Sequence, residues 1–103
     1  MYKLHYFVPL EAKEITKQAL FDIGVGRYEN YEMCCFETLG VGQFKPINKA
    51  NPSVGEINIL EHVQEYKIEM ICDDTLINHA IEVLKTVHPY EEVAYEVFKM
   101  EQF

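Results

Sequence analysis

An α+β two-layer sandwich, one antiparallel sheet with two helices on a single face, is the fold class this sequence predicts, on three observations. Segments alternating with period two and segments spaced by three and four follow one another as strand, helix, strand, and then again as strand, helix, strand. Between the halves, residues 39–62 carry Gly40, Gly42, Pro46, Pro52 and Gly55, the punctuation of a loop or hairpin excursion from the core. No linker or low-complexity tract divides the chain, so all 103 residues are expected in one domain.

Each element has a local reason. Tyr2 to Val8 alternates, with Leu4, Tyr6 and Val8 on one face, and Pro9 ends it. From Leu10 to Ile23 the residues Ala12, Ile15, Ala19, Leu20 and Ile23 form an apolar stripe, leaving Lys13, Glu14, Lys17 and Gln18 for water. Gly24 and Gly26 supply the left-handed conformation that closes a helix. Tyr28 to Leu39, rich in aromatic and sulfur side chains, reads as a long strand on which a short one around Gln43 to Ile47 folds back. Val63 to Cys72 alternates with Tyr66, Ile68, Met70 and Cys72 inward and Glu65, Lys67 and Glu69 outward. Asp73 and Asp74 stand where an N-cap acceptor belongs, ahead of the stripe Leu76, Ile77, Ala80, Val83, Leu84 and Val87. Val93 to Met100 is the last strand. Right-handed crossovers then place both helices on one face of the sheet, which is the ferredoxin-like arrangement. The opposite face, with Phe7, Cys35, Val63, Ile71, Val93, Tyr95 and Val97, is expected to be bare and to need a partner. Three sheets around an axis would cover it, so a homotrimer is expected.

Composition narrows the function classes. Seventeen acidic against nine basic residues give a formal charge of −8, and the lysines are scattered, which excludes nucleic acid and anionic membranes as partners. About half the residues are hydrophobic, yet no run approaches the ~18–20 apolar residues of a membrane span. The alternating start from Met1 to Tyr6 lacks the pattern of a secretion signal, so the cytoplasm is the expected compartment. Three cysteines, Cys34 and Cys35 adjacent and Cys72 distant, fit reduced thiols better than disulfides or a zinc knuckle.

The most informative segment is His88-Pro89-Tyr90-Glu91-Glu92, where a helix must stop and a strand must start. Pro89 breaks the helix by lacking an amide proton and by pushing His88 out of helical geometry. Together with Asn30-Tyr31, Cys34, Phe36, Thr38, the run from Gly40 to Pro46, Ala50-Asn51-Pro52, Gly55-Glu56 and Val93-Ala94-Tyr95, this segment resembles the insert domain of the NIF-three-like (YqfO) family. The resemblance runs from Tyr2 to Val97. It implies a fold like that of the CutA and PII proteins, and a role in subunit contacts and in capping a central cavity. CutA-like proteins are trimeric, are associated with divalent-cation tolerance and share the His-Pro-Tyr-Glu corner. The two-metal, hydrolase-like body of the larger family members has no residues here onto which its activity can be carried.

Two readings stand side by side at each candidate site. His88, Tyr90, Glu91 and Glu92 either line a small-ligand site or simply build a rigid corner; His88, Glu91 and Glu92 also have the donors for a divalent metal, if symmetry copies add more. Tyr31 and Cys34 could line a cleft with Phe36, although buried small hydrophobes explain the cysteines equally well. Phe44, in the excursion, either contacts a ligand or anchors the hairpin on a neighbouring subunit. No nucleophile and base can be paired, so no catalytic residue is assigned. The expected function is a non-enzymatic, homo-oligomeric regulatory or binding module that takes a small molecule, a divalent cation or a protein at its subunit clefts. The alternatives are a metal-dependent hydrolase with an inter-subunit His/Glu site, or a structural partner of a separate NIF-three-like metal-binding protein.

Overall fold

The computed structural model describes residues 1–103. Strand β1 (Tyr2–Pro9) leads through a single 3₁₀ turn (Leu10–Ala12) into helix α1 (Lys13–Asp22); strands β2 (Phe36–Phe44) and β3 (Glu61–Cys72) follow, then helix α2 (Ile77–Val87) and strand β4 (Tyr95–Lys99). The strands form one antiparallel sheet in the order β2-β3-β1-β4, as expected of a ferredoxin-like sandwich.

The core lies between the sheet and the two helices. Leu4, Tyr6 and Val8 of β1 meet Ile68, Met70 and Cys72 of β3, roofed by Leu20, Val25, Ala80 and Leu84. Burial is nearly complete for all ten, and each large aliphatic side chain contributes about 1.5–3 kcal/mol. Burial also pushes the Cys72 thiol up to about 11, so it remains a protonated core residue.

Helix α1 sits in a different rotation from the one its apolar residues predict. Ile15 is 64% exposed, whereas Thr16 is fully buried. The cause is Tyr6: its hydroxyl is carried into the core by the strand and lies 2.9 Å from Thr16 Oγ1, which in turn donates to the Lys13 carbonyl at 3.0 Å. A buried phenol needs a partner, and a threonine in the helix supplies one where an isoleucine cannot.

The second strand also differs from its expected position. Residues 28–35 are irregular: Tyr28 and Tyr31 exchange two backbone hydrogen bonds of 2.9 Å, and Glu29 and Met33 have φ values of 53° and 59°, which break extension. The strand begins at Phe36 and continues through Gly40 and Gly42 to Phe44, so the expected short strand at 43–47 does not exist as a separate element. What pairs with β2 is β3, from Phe36↔Glu69 to Phe44↔Glu61. Lys13 and Lys17 clamp β2 to α1 through Glu37, at 2.8 and 3.0 Å.

The face opposite the helices is more polar than expected. Register places Tyr95 opposite Tyr6 and Val97 opposite Leu4, so these two residues share the helix side. Cys35, Val93 and Tyr95 pack against the core instead of lying bare. The open face combines Phe7, Phe36, Val63, Ile71 and Phe98 with Lys3, His5, Glu65, Lys67, Glu69 and Glu96, as the alternation of the paired strands requires. The His5 ring packs at a tilt of 55° against Phe98, with ring centres 5.0 Å apart, and lies 3.4 Å from Glu69. Of the residues expected on this face, Phe7, Val63 and Ile71 are there, interspersed with charged side chains. No helix is long and apolar enough to cross a membrane.

Candidate functional site

The site is built where α2 ends. The His88 amide donates to the Leu84 carbonyl at 3.0 Å, after which the chain turns extended at His88 (φ −78°, ψ 138°). The imidazole is 6% exposed and has both nitrogens occupied. The Tyr90 amide donates to Nδ1 at 3.1 Å, which leaves the proton on Nε2 to be donated to the Phe7 carbonyl at 2.7 Å. This pairing selects the neutral tautomer, and burial holds the ring below its ordinary pKa despite the opposing pull of the Phe7 carbonyl. The Phe7 amide in turn donates to the Ala94 carbonyl at 3.1 Å, so the corner is stitched to β1 on both sides.

Across from this corner runs the 45–60 loop. It folds on itself through Asn58 to the Pro46 carbonyl (2.6 Å) and Ala50 to the Ile47 carbonyl (3.2 Å), with Asn48, Gly55 and Asn58 in left-handed conformations. Its tip is held to the corner by one carboxylate: the Asn51 amide lies 3.1 and 3.2 Å from the two oxygens of Glu91.

Between loop and corner lies a cleft of about 400 Å³. Its floor is Phe7, Glu65 and Ala94; its loop wall is Phe44, Pro46, Ile47, Ala50 and Pro52; its other wall is Tyr90, Glu91 and Glu92. Such a size and an apolar lining with a few polar groups suit a small organic ligand. The Tyr90 hydroxyl is shut off from solvent and has no hydrogen-bond partner. Burial first, then the charges of Glu65 and Glu11, holds its proton more tightly than usual. Burial likewise raises the Glu65 carboxyl above the ordinary carboxylate range.

The cleft thus brings together Phe44, Tyr90, Glu91 and Glu92 from the residues singled out by sequence. His88 stands behind it, its ring 5.0 Å from that of Tyr90, as a positioning residue. Tyr31 and Cys34 are elsewhere: Tyr31 is 73% exposed on the 28–35 turn, and the Cys34 amide is tied to the Gly26 carbonyl at 2.8 Å. Phe44 lines the cleft of its own chain. Within one chain these donors do not surround a metal: both His88 nitrogens are engaged, Glu91 holds Asn51, and no three His, Cys, Asp or Glu side chains converge. Glu65 escaped the sequence reading as a solvent-facing strand residue. The signal for it is Gly42 on the neighbouring strand: a Cβ there would stand 2.6 Å from the Glu65 Cδ, so glycine is what lets the carboxylate lie across β2.

No family model matches the chain. Among curated proteins it is 38% identical over 100 residues to the GTP cyclohydrolase 1 type 2 homolog of Bacillus subtilis, covering 97% of this chain and 27% of that protein. The protein of the same name from Staphylococcus aureus strain COL is 37% identical over 101 residues, 98% of this chain and 28% of its own length. The chain therefore spans little more than a quarter of these relatives. Among solved structures, a Bacillus cereus protein related to NIF3 superposes with a TM-score of 0.85 at 37% identity, over 98% of this chain and 26% of that one. CutA1 from Pyrococcus horikoshii superposes with a TM-score of 0.72 at 16% identity, over 100% of this chain and 86% of its own, and shares the fold.

Proposed function

We propose, because this chain corresponds to the PII/CutA-like segment of NIF3-related proteins, that it is a binding module that takes a small ligand in the cleft between its 45–60 loop and its 88–94 corner. One observation carries the reading: an apolar-walled cleft of about 400 Å³ is held open by a rigid corner on one side and a self-bonded loop on the other. The corner spends its imidazole on backbone, so the groups left facing the cleft recognise rather than react. Regulation would follow from the Asn51–Glu91 bridge, since a ligand entering beneath the loop must keep or break it.

Self-association is part of the proposal, with β2 as its edge. Phe36, Leu39 and Val41 are 66%, 52% and 68% exposed on a nine-residue outer strand. Such an edge invites pairing with another copy. The test of the ligand reading is an NMR screen of fragment-sized compounds against the isotope-labelled chain. Hits are expected to move the amides of Phe7, Phe44, Ala50 and Ala94. A screen whose hits cluster instead around residues 27–33, or that finds none at millimolar concentration, rejects the cleft. Light scattering behind a sizing column tests the second part, and a monomer at micromolar concentration rejects it.

A further inference from the structure

We infer that the ligand of this cleft is a small organic cation, an amine or amidine on an aromatic or branched aliphatic body, rather than a bare metal ion or an anionic nucleotide. The inference rests on the cleft reading above and adds the charge of its occupant. Three carboxylates, Glu65, Glu91 and Glu92, line the cleft against one cation, Lys45. None of the three has a cationic side chain within 4.0 Å; Glu91 holds the Asn51 amide, which leaves Glu65 and Glu92 free of any such partner. The lining of the cleft thus carries a net negative charge beside its apolar walls.

The geometry of the floor sharpens this. Glu65 lies across Gly42 and lines the cleft together with Tyr90, whose hydroxyl has no partner of its own. An ammonium group at this end of the cleft would donate to Glu65, while Phe7, Phe44 and Pro46 contact the carbon skeleton. A triphosphate meets only Lys45 there, against three carboxylates. A hydrated divalent ion finds oxygen donors but an apolar lining that cannot replace its water shell. The volume suits a molecule of fragment size rather than a polypeptide segment.

The test uses three probes of one shape, 4-phenylbutylamine, 4-phenylbutanol and 4-phenylbutyrate, titrated into the full chain and followed by NMR and calorimetry. The amine is expected to bind about tenfold more tightly than the alcohol, and the acid more weakly than either. Glu65→Gln and, separately, Glu92→Gln should each reduce the amine affinity several-fold and leave the alcohol unchanged. Equal binding of amine and alcohol overturns the cation inference and leaves the cleft reading standing. Tighter binding of the acid, or broadening of cleft amides by submillimolar Mn²⁺, overturns it in favour of an anion or a metal. If no probe moves the cleft amides at 20 mM, the inference and the cleft reading fall together.

Discussion

Replacing His88 tests whether its imidazole is a structural bracket between two backbone groups. His88→Ala leaves the Phe7 carbonyl and the Tyr90 amide without partners and opens a void beside Tyr90. Each lost buried partner costs about 1–3 kcal/mol, less where water can enter, so a total loss of about 2–4 kcal/mol is expected. For a domain of this size that lowers the melting temperature by about 10–25 °C. Titration separates a hydrogen-bonding role from simple packing. The ring is held below its ordinary pKa of about 6.5, so the unfolded chain takes up a proton that the folded one refuses. Its contribution is complete above about pH 6.5 and is lost as pH falls from there toward the folded value, at no more than about 1.4 kcal/mol per pH unit. His88→Asn keeps an acceptor for the Tyr90 amide but does not titrate. Urea unfolding of wild type and His88→Asn between pH 7.5 and 5.5 should therefore show a shallower decline in the variant, with His5, His62 and His79 common to both. Parallel curves, or an alanine cost below about 0.5 kcal/mol, would refute the bracket.

Other substitutions probe the cleft and its frame. Tyr90→Phe removes a hydroxyl that is buried without a partner and should raise stability by about 1 kcal/mol, read as a higher urea midpoint at unchanged slope; a loss would mean that the hydroxyl is satisfied. Gly26→Ala should cost about 1–3 kcal/mol, because φ is +82° and the new Cβ would stand 2.8 Å from the Cys34 carbonyl oxygen; near-neutral thermal unfolding would contradict this. Gly42→Ala meets only the movable Glu65 carboxylate, so stability should change by less than about 1 kcal/mol while the preference for amine over alcohol disappears. Retention of that preference would show that Glu65 does not set it.

Much of the fold was legible because its periods are strong. The alternation of β1 and β3 named Leu4, Tyr6, Ile68, Met70 and Cys72 as core, and α2 appears where its stripe and Pro89 bound it. Helix α1 misled because a count of apolar residues ranks Ile15 above Thr16, and only the buried Tyr6 hydroxyl across the interface reverses that order. The aromatic run from Tyr28 misled in the same manner: β propensity records fitness for a pleated surface, and residues 28–35 pair with no strand, Tyr28 and Tyr31 bridging only each other. Gly40 and Gly42 looked like turn residues, yet a strand accepts glycine wherever a neighbouring side chain must lie across it, as Glu65 does over Gly42.

By itself, then, the chain's residue order determined the elements, the two-layer sandwich and the fixed corner at His88-Pro89, since these depend on contacts and dihedral limits close along the backbone. Tertiary structure alone decided which face β4 presents, where α1 points its threonine, and that Glu65, Phe44 and Tyr90 share a cleft from which Cys34 and Tyr31 are absent. The physical reason is separation: those outcomes depend on register and on partners that are brought together only when the sheet and loop close, and no local pattern encodes them.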